Sequence, residues 1–265
     1  MSDPVLPRER TPTILESALR FDRTPAIVLL ILLPLVSWAW IVVMASDMYG
    51  AMTGSSAWMM TVRWDAPHVL LLWGMWAVMM TGMMLPSASP MLLLYGVVAR
   101  RSSPESAAHR IYALAAGYLT MWTVFSLAAT ALQRVLAAFL LISPMMEITS
   151  SVVGAGLLFV AGLYQLTPLK LACLRTCQSP LGFLMSRWRK GLSGTFRMGL
   201  QHGAYCVGCC WALMLLLFVG GVMNLSVIAA LTAFVAFEKL APFGVYGARI
   251  SGVALIAASF WMMVR

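Results

Sequence analysis

Sulfur is concentrated in two short stretches of this 265-residue chain. All five cysteines fall between Cys173 and Cys210. Three of them, Cys206, Cys209 and Cys210, share one run with His202 at the spacing i, i+4, i+7, i+8. With about 3.6 residues per helical turn, that spacing puts one imidazole and three thiols on a single face. Cys173 and Cys177, at i and i+4, form a second such face. The other stretch, Met79-Met80-Thr81-Gly82-Met83-Met84, packs four thioethers into six residues. Met75, Met79 and Met83 repeat at i, i+4 and i+8, with Met80 and Met84 alongside.

Thiolates and thioethers are the donors that select Cu(I) and other soft ions. Thiolates hold such an ion tightly, and the weaker thioether suits an ion in passage. Two cysteine faces brought together predict a site of two to four sulfurs. Cu(I) accepts few, soft ligands and is the first candidate; Zn, which prefers four tetrahedral ligands, is the second. A bland reading competes, because cysteine is a small hydrophobe and methionine fills irregular apolar gaps. It accounts for any one of these residues, and for Met44, Met48, Met52, Met59 and Met60 taken alone. It is weaker for the group, in which a helical His and a Cys-x-x-Cys-Cys face a second cysteine pair.

Other candidates carry less. His68 stands beside Asp65 as a ligand or an interfacial residue, and His109 lies in a basic loop. Glu238 and Lys239 form an interfacial pair, or else Glu238 is a buried carboxylate with a task. Trp40, Trp58, Trp64, Trp188 and Trp261 fit an interfacial belt. The three histidines scatter and no Cys-x-x-Cys-His occurs, which disfavours haem. There is no Walker loop, dinucleotide glycine fingerprint or pair of hydrolytic carboxylates.

The elements that must position these side chains are membrane helices. The chain is 61% hydrophobic and only 10% charged, where a soluble globule carries about a quarter charged residues. The expected fold is all-α: a polytopic transmembrane helix bundle of about seven spans, six being the alternative. They are expected at roughly 26–45, 67–85 with a continuation broken by Pro86 and Pro90, 111–142, 152–171, 199–222, 225–240 and 243–264. Pro34 is expected to kink the first. Residues 1–25 mix acidic and basic residues and read as a cytoplasmic N-terminal segment, not a signal peptide. Residues 26–265 read as a single transmembrane helical domain.

The net charge of +9 marks loops rather than a nucleic-acid surface. Most basic residues fall before span one, between spans two and three, between four and five, and around the connection of six to seven. That bias places these segments, and the N-terminus, in the cytoplasm of a bacterial inner membrane. The cysteines then lie on the reducing side, which favours metal ligation over structural disulfides.

Three motifs also carry a family resemblance. The run from Tyr164 to Pro180, the run from Gly199 through Cys206-Val207-Gly208-Cys209-Cys210-Trp211 to Asn224, and Met79 to Pro86 resemble hallmarks of a bacterial family known as domain of unknown function 2182. The resemblance covers about Val69 to Pro242. It implies an integral membrane protein that binds metal, with no settled activity. The Met-x-x-x-Met pattern is similar to that of eukaryotic high-affinity copper importers in ligand type, not in fold.

The sequence therefore predicts a protein that binds Cu(I) and moves or delivers it. Outer methionines from Met44 to Met60 would capture the ion, and Met75, Met79, Met80, Met83 and Met84 would pass it on. Cys206, Cys209, Cys210, Cys173, Cys177 and His202 would receive it. Expected partners are the lipid bilayer, the metal ion, and a copper chaperone or a metalloenzyme assembly partner. Two rivals stand beside this: a membrane thiol–disulfide oxidoreductase using Cys206-x-x-Cys209 with Cys173 and Cys177, and a non-catalytic assembly subunit of a membrane complex.

Overall fold

The computed structural model describes residues 24–50, 64–102, 104–143 and 146–264. Met52, Met59, Met60, Trp58 and nearly all of the N-terminal segment 1–25 lie outside the described residues. Among the described residues the regular structure is helical, with a lone bridge between Ile142 and Ile148.

Helix α1 spans Thr24–Met48. Its turn Val28–Leu32 is π-helical and ends two residues before Pro34, which has no N–H to return to the turn before it. Helix α2, Ala66–Met84, begins on a cap in which Asp65 accepts from the His68 backbone N–H. It ends where Pro86 opens a 3-10 turn, Pro86–Ala88, and α3 follows as Ser89–Ser102. Helix α4, Ala107–Ala138, is the longest.

The span expected at 152–171 is two helices. Helix α5, Ser151–Gln165, and α6, Pro168–Gln178, meet at a bend of 63°. The dipeptide Thr167-Pro168 makes the break. Thr167 caps α6 by accepting from the Lys170 N–H, and Pro168 takes the helical position where its missing N–H costs nothing. A short helix α7, Pro180–Arg187, leads into α8, Gly191–Met214, which continues as α9, Leu216–Gly220. Helix α10, Leu225–Leu240, starts on an Asn224 cap, and α11 covers Gly244–Val264.

Among the described residues, five helices are long and apolar enough to cross a membrane, and a sixth if the bent pair α5/α6 is one span. Helix α10, at 16 residues, is shorter than the roughly 20 needed for an untilted crossing. The outer surface is compatible with lipid: Leu35, Val36, Val43, Val135, Leu163 and Phe260 are all exposed. In water such a surface would be an aggregation liability.

Helices α4 and α8 pack most extensively, and small residues make that possible. A Cβ on Gly117 would run into the Phe196 carbonyl, and one on Gly199 into the Leu114 carbonyl. The two backbones therefore touch, in the manner of small-residue seams in membranes. This seam carries the Cys206 face of α8 inward.

A polar network ties α10 to the bent pair. Glu238 pairs with Lys170 at 2.7 Å, and both side chains are fully buried. The Gln165 amide donates to Glu238 Oε1 at 2.8 Å and to Ser251 Oγ at 2.9 Å. The Gln178 amide donates to the Glu238 backbone carbonyl at 2.7 Å. So Glu238 is the buried carboxylate of the two sequence readings, and its partner is Lys170 rather than its neighbour Lys239. Consecutive helical residues project about 100° apart, so the two charges face different elements.

Replacing one partner should strand the other charge. Lys170→Met is expected to destabilise the protein by about 3–5 kcal/mol, read as a lowered thermal midpoint in detergent. Lys170→Met with Glu238→Gln should recover much of that loss. Equal destabilisation by the single and double variants would contradict the pairing.

Candidate metal centre

The sulfur pocket is built on α8. His202, Cys206, Cys209 and Cys210 are all buried, as the shared face requires. Within the helix, the Cys209 and Cys210 thiols donate to the Cys206 carbonyl at 3.1 and 3.0 Å. These bonds orient both sulfurs without committing their lone pairs. The Cys206 and Cys210 thiols interact with each other.

Met84, the last residue of α2, reaches this pair. Its Sδ lies 4.0 Å from Cys210 Sγ. Two sulfurs bound at about 2.3 Å to one ion in a trigonal arrangement stand about 4 Å apart. The thiol of α8 and the thioether of α2 are therefore spaced as co-ligands of one soft ion. Met75, Met79, Met80 and Met83 continue the run back along α2, and all are buried.

The second cysteine pair comes from α6. Cys177 contacts Cys209, and both α6 thiols are half-buried and free. Cys173 packs against Gly208, where an added Cβ would stand 3.0 Å from its Sγ. Tyr164 donates its hydroxyl to the Gly208 carbonyl, fixing α5 to the same turn of α8. The structure thus brings both cysteine pairs to one stretch of α8. Cys209 links the two: it interacts with Cys177 of α6 and also with Cys206 and Cys210, the thiols beside Met84.

His202 sits beside the pocket between two rings, 5.8 Å from Tyr118 and 5.4 Å from Phe183 between centroids. Its Nδ1 has no hydrogen-bond partner in a buried setting. His68 is buried at the start of α2 and forms an edge contact with Trp64. Met44 and Met48, expected as outer capture residues, are buried in the core.

Three residues of the pocket are not evident from the sequence as site residues. Lys239 Nζ donates to Cys206 Sγ at 2.8 Å and to Ser87 Oγ at 3.1 Å, and lies 3.9 Å from Met84 Sδ. Tyr118 Oη lies 3.0 Å from Cys206 Sγ and donates to the Met84 carbonyl at 3.0 Å. The signal for each is a polar group within a largely apolar segment, which a low-dielectric interior tolerates only when paired.

Among the described residues, no three side chains of the His, Cys, Asp and Glu types are grouped as a metal site. The donors that converge are the Cys206 and Cys210 thiols and the Met84 thioether, with the Cys209 thiol beside them. That set suits a soft, low-coordinate ion and not a hard cation.

Fold and pocket together define a polytopic helical protein with soft donors gathered in its core. The model of a copper chaperone family, PpoB2, matches residues 73–262, which include every sulfur of the pocket. The chain belongs to that copper chaperone family. No curated protein and no solved structure matches it.

Burial sorts the thiols into two reactivity groups. In the reduced, folded protein Cys173 should react with a maleimide about tenfold or more faster than Cys206, Cys209 and Cys210. Peptide mass spectrometry reads the rates, and all five should react alike after denaturation.

Proposed function

We propose that this protein binds Cu(I) as cargo between Cys206, Cys210 and Met84 and hands it on through its other sulfurs. The observation that carries this reading is the 4.0 Å approach of Cys210 Sγ to Met84 Sδ, made between two helices whose sequences are each rich in soft donors. Membership of a copper chaperone family supports it.

In this reading the methionines of α2 form a column of weak donors leading to the pocket. An ion held by thioethers is released readily, whereas one held by thiols is retained. A handover chain needs that gradient, since each site must bind well enough to accept and weakly enough to give. Cys209, Cys177 and Cys173 form the next station, on the face of α8 turned to α6. Cys177 and Cys173 are the less buried cysteines, so they are the exit to an acceptor: a second copper-binding protein or a metalloenzyme under assembly. His202, with a free buried nitrogen, is an additional donor. Zinc, the second candidate ion, would need a fourth ligand.

The location that fits is a bacterial inner membrane crossed several times, with the N-terminus in the cytoplasm and residues 26–265 as one helical domain. The metal-binding family known as domain of unknown function 2182 is the narrower kinship that the motifs suggest. A second reading, thiol–disulfide exchange, draws on the Cys177–Cys209 contact. Trapping either residue in a mixed disulfide with a client protein would favour it.

The test is Cu(I) titration against a competing chelator in detergent under reductant. Cys206→Ser with Cys210→Ser should weaken binding beyond the 10–100-fold typical of losing an outer partner of a metal site. Met84→Leu should weaken it by about tenfold. X-ray absorption should report sulfur as the nearest shell. Unchanged binding in the double serine variant would sink the assignment.

A further inference from the structure

Lys239 is a cation placed where a metal ion would go. Its Nζ contacts Cys206 Sγ at 2.8 Å and stands 3.9 Å from Met84 Sδ, two of the three donors of the pocket. Cys210 and Cys209 are its next electrostatic neighbours. The side chain is buried at 6% exposure, so it has no route to water without leaving α10's packing. It does have a second anchor within reach: Ser87 Oγ at 3.1 Å, on the 3-10 turn that follows α2. Ser87 itself is held by the Met84 carbonyl at 2.8 Å.

We infer that Lys239 is the specificity-determining residue of the pocket: it fills the empty sulfur site as a resident cation, withdraws onto Ser87 when copper enters, and stays close enough to bias the site toward a monovalent ion. This rests on the copper reading above and adds to it the basis of ion choice.

The argument is geometric and Coulombic. An ion bound by Cys206, Cys210 and Met84 must take the sulfur lone pairs that Nζ now faces, so the ammonium has to move. The hydroxyl of Ser87 already accepts from Nζ, so the ammonium can give up Cys206 and keep that bond, and the lysine stem need only rotate. Withdrawn there, Nζ still lies within several ångströms of the bound ion. Unit charges at that range repel strongly in a partly screened interior. A monovalent ion meets that repulsion once and a divalent ion twice. The three-sulfur donor set disfavours Zn(II) by coordination number, and the resident ammonium disfavours it by charge.

Two substitutions separate the parts. Lys239→Met keeps the length of the side chain and removes the charge. Ser87→Ala removes the withdrawal point and leaves every metal donor in place. Purified wild type, both variants and Lys239→Arg are titrated with Cu(I) and with Zn(II), each against a competing chelator under reductant. The ratio of Cu(I) to Zn(II) affinity is expected to fall by about tenfold or more in Lys239→Met, the scale of one unit charge at this range. Lys239→Arg, which keeps the charge, is expected to hold the wild-type ratio. Ser87→Ala is expected to weaken Cu(I) binding by about threefold or more, because the resident ammonium keeps its bond to Cys206 whereas the displaced one is left without either partner. A wild-type ratio in folded Lys239→Met overturns the inference. If that variant does not fold, unchanged Cu(I) affinity in Ser87→Ala overturns it instead. Wild-type protein that binds Cu(I) without sulfur in the first shell, or not at all, overturns the copper reading itself.

Discussion

Two adjacent charges on α10, Glu238 and Lys239, cannot stand uncompensated in an interior this apolar, and the structure around the sulfur pocket is arranged by that constraint. Leaving either charge unpaired would cost several kcal/mol or more. Glu238 is answered by Lys170 from α6 and by Gln165 from the end of α5. Lys239 is answered from the opposite side by Cys206 and Ser87. The first set fixes the bent pair α5/α6 against α10. The second fixes α10 against α8 and the end of α2. One dipeptide thereby places both cysteine-bearing elements and the methionine-bearing one about a common centre.

That arrangement explains why the pocket differs from a structural zinc site. A closed tetrahedral site contributes folding energy directly and is satisfied only when filled. Here the thiols already have partners without an ion: Cys209 and Cys210 bond back to their own helix, and Cys206 accepts from Lys239. The fold is held by the ion pair and by the glycine seam of α4 and α8. Under the proposed function, a framework that does not depend on its cargo can give that cargo up.

Much of this was legible in the sequence, and the residues show where legibility stops. The positions of most helices follow from apolar runs, although α8 begins at Gly191, before the apolar run expected at 199–222, and the caps at Asp65, Thr167 and Asn224 sit where short polar side chains precede such runs. The common face of His202, Cys206, Cys209 and Cys210 follows from helical period alone. The break inside 152–171 also had its signal in Thr167-Pro168, but the apolar content on both sides outweighed it in a hydropathy reading. The partners of Glu238 and Lys239 were not legible. Lys170 and Cys206 lie 68 and 33 residues from them in sequence, and no local pattern selects among the polar residues at such distances. Tyr118 was hidden for the same reason. Its hydroxyl bridges α2 and α8 from a third helix.

The end of α2 shows how a backbone defect becomes a site. Pro86 has no N–H to return to the Gly82 carbonyl, so that oxygen needs another donor in a medium without water. Trp38 of α1 supplies it through Nε1 at 3.2 Å. The Met84 carbonyl, at the same helix end, accepts from Tyr118 and Ser87. Each substitute donor draws in a different element, and two of them, Tyr118 and Ser87, also belong to the surroundings of Cys206. The proline that ends the methionine helix thus recruits the groups that line the thiol pocket. It also leaves Met84 as the terminal side chain of α2, able to reach toward α8 with its thioether. An uninterrupted helix would have satisfied its own carbonyls and left Tyr118 and Ser87 without those bonds. The coupling of the two sulfur runs therefore originates in a missing amide hydrogen, not in the sulfur residues themselves.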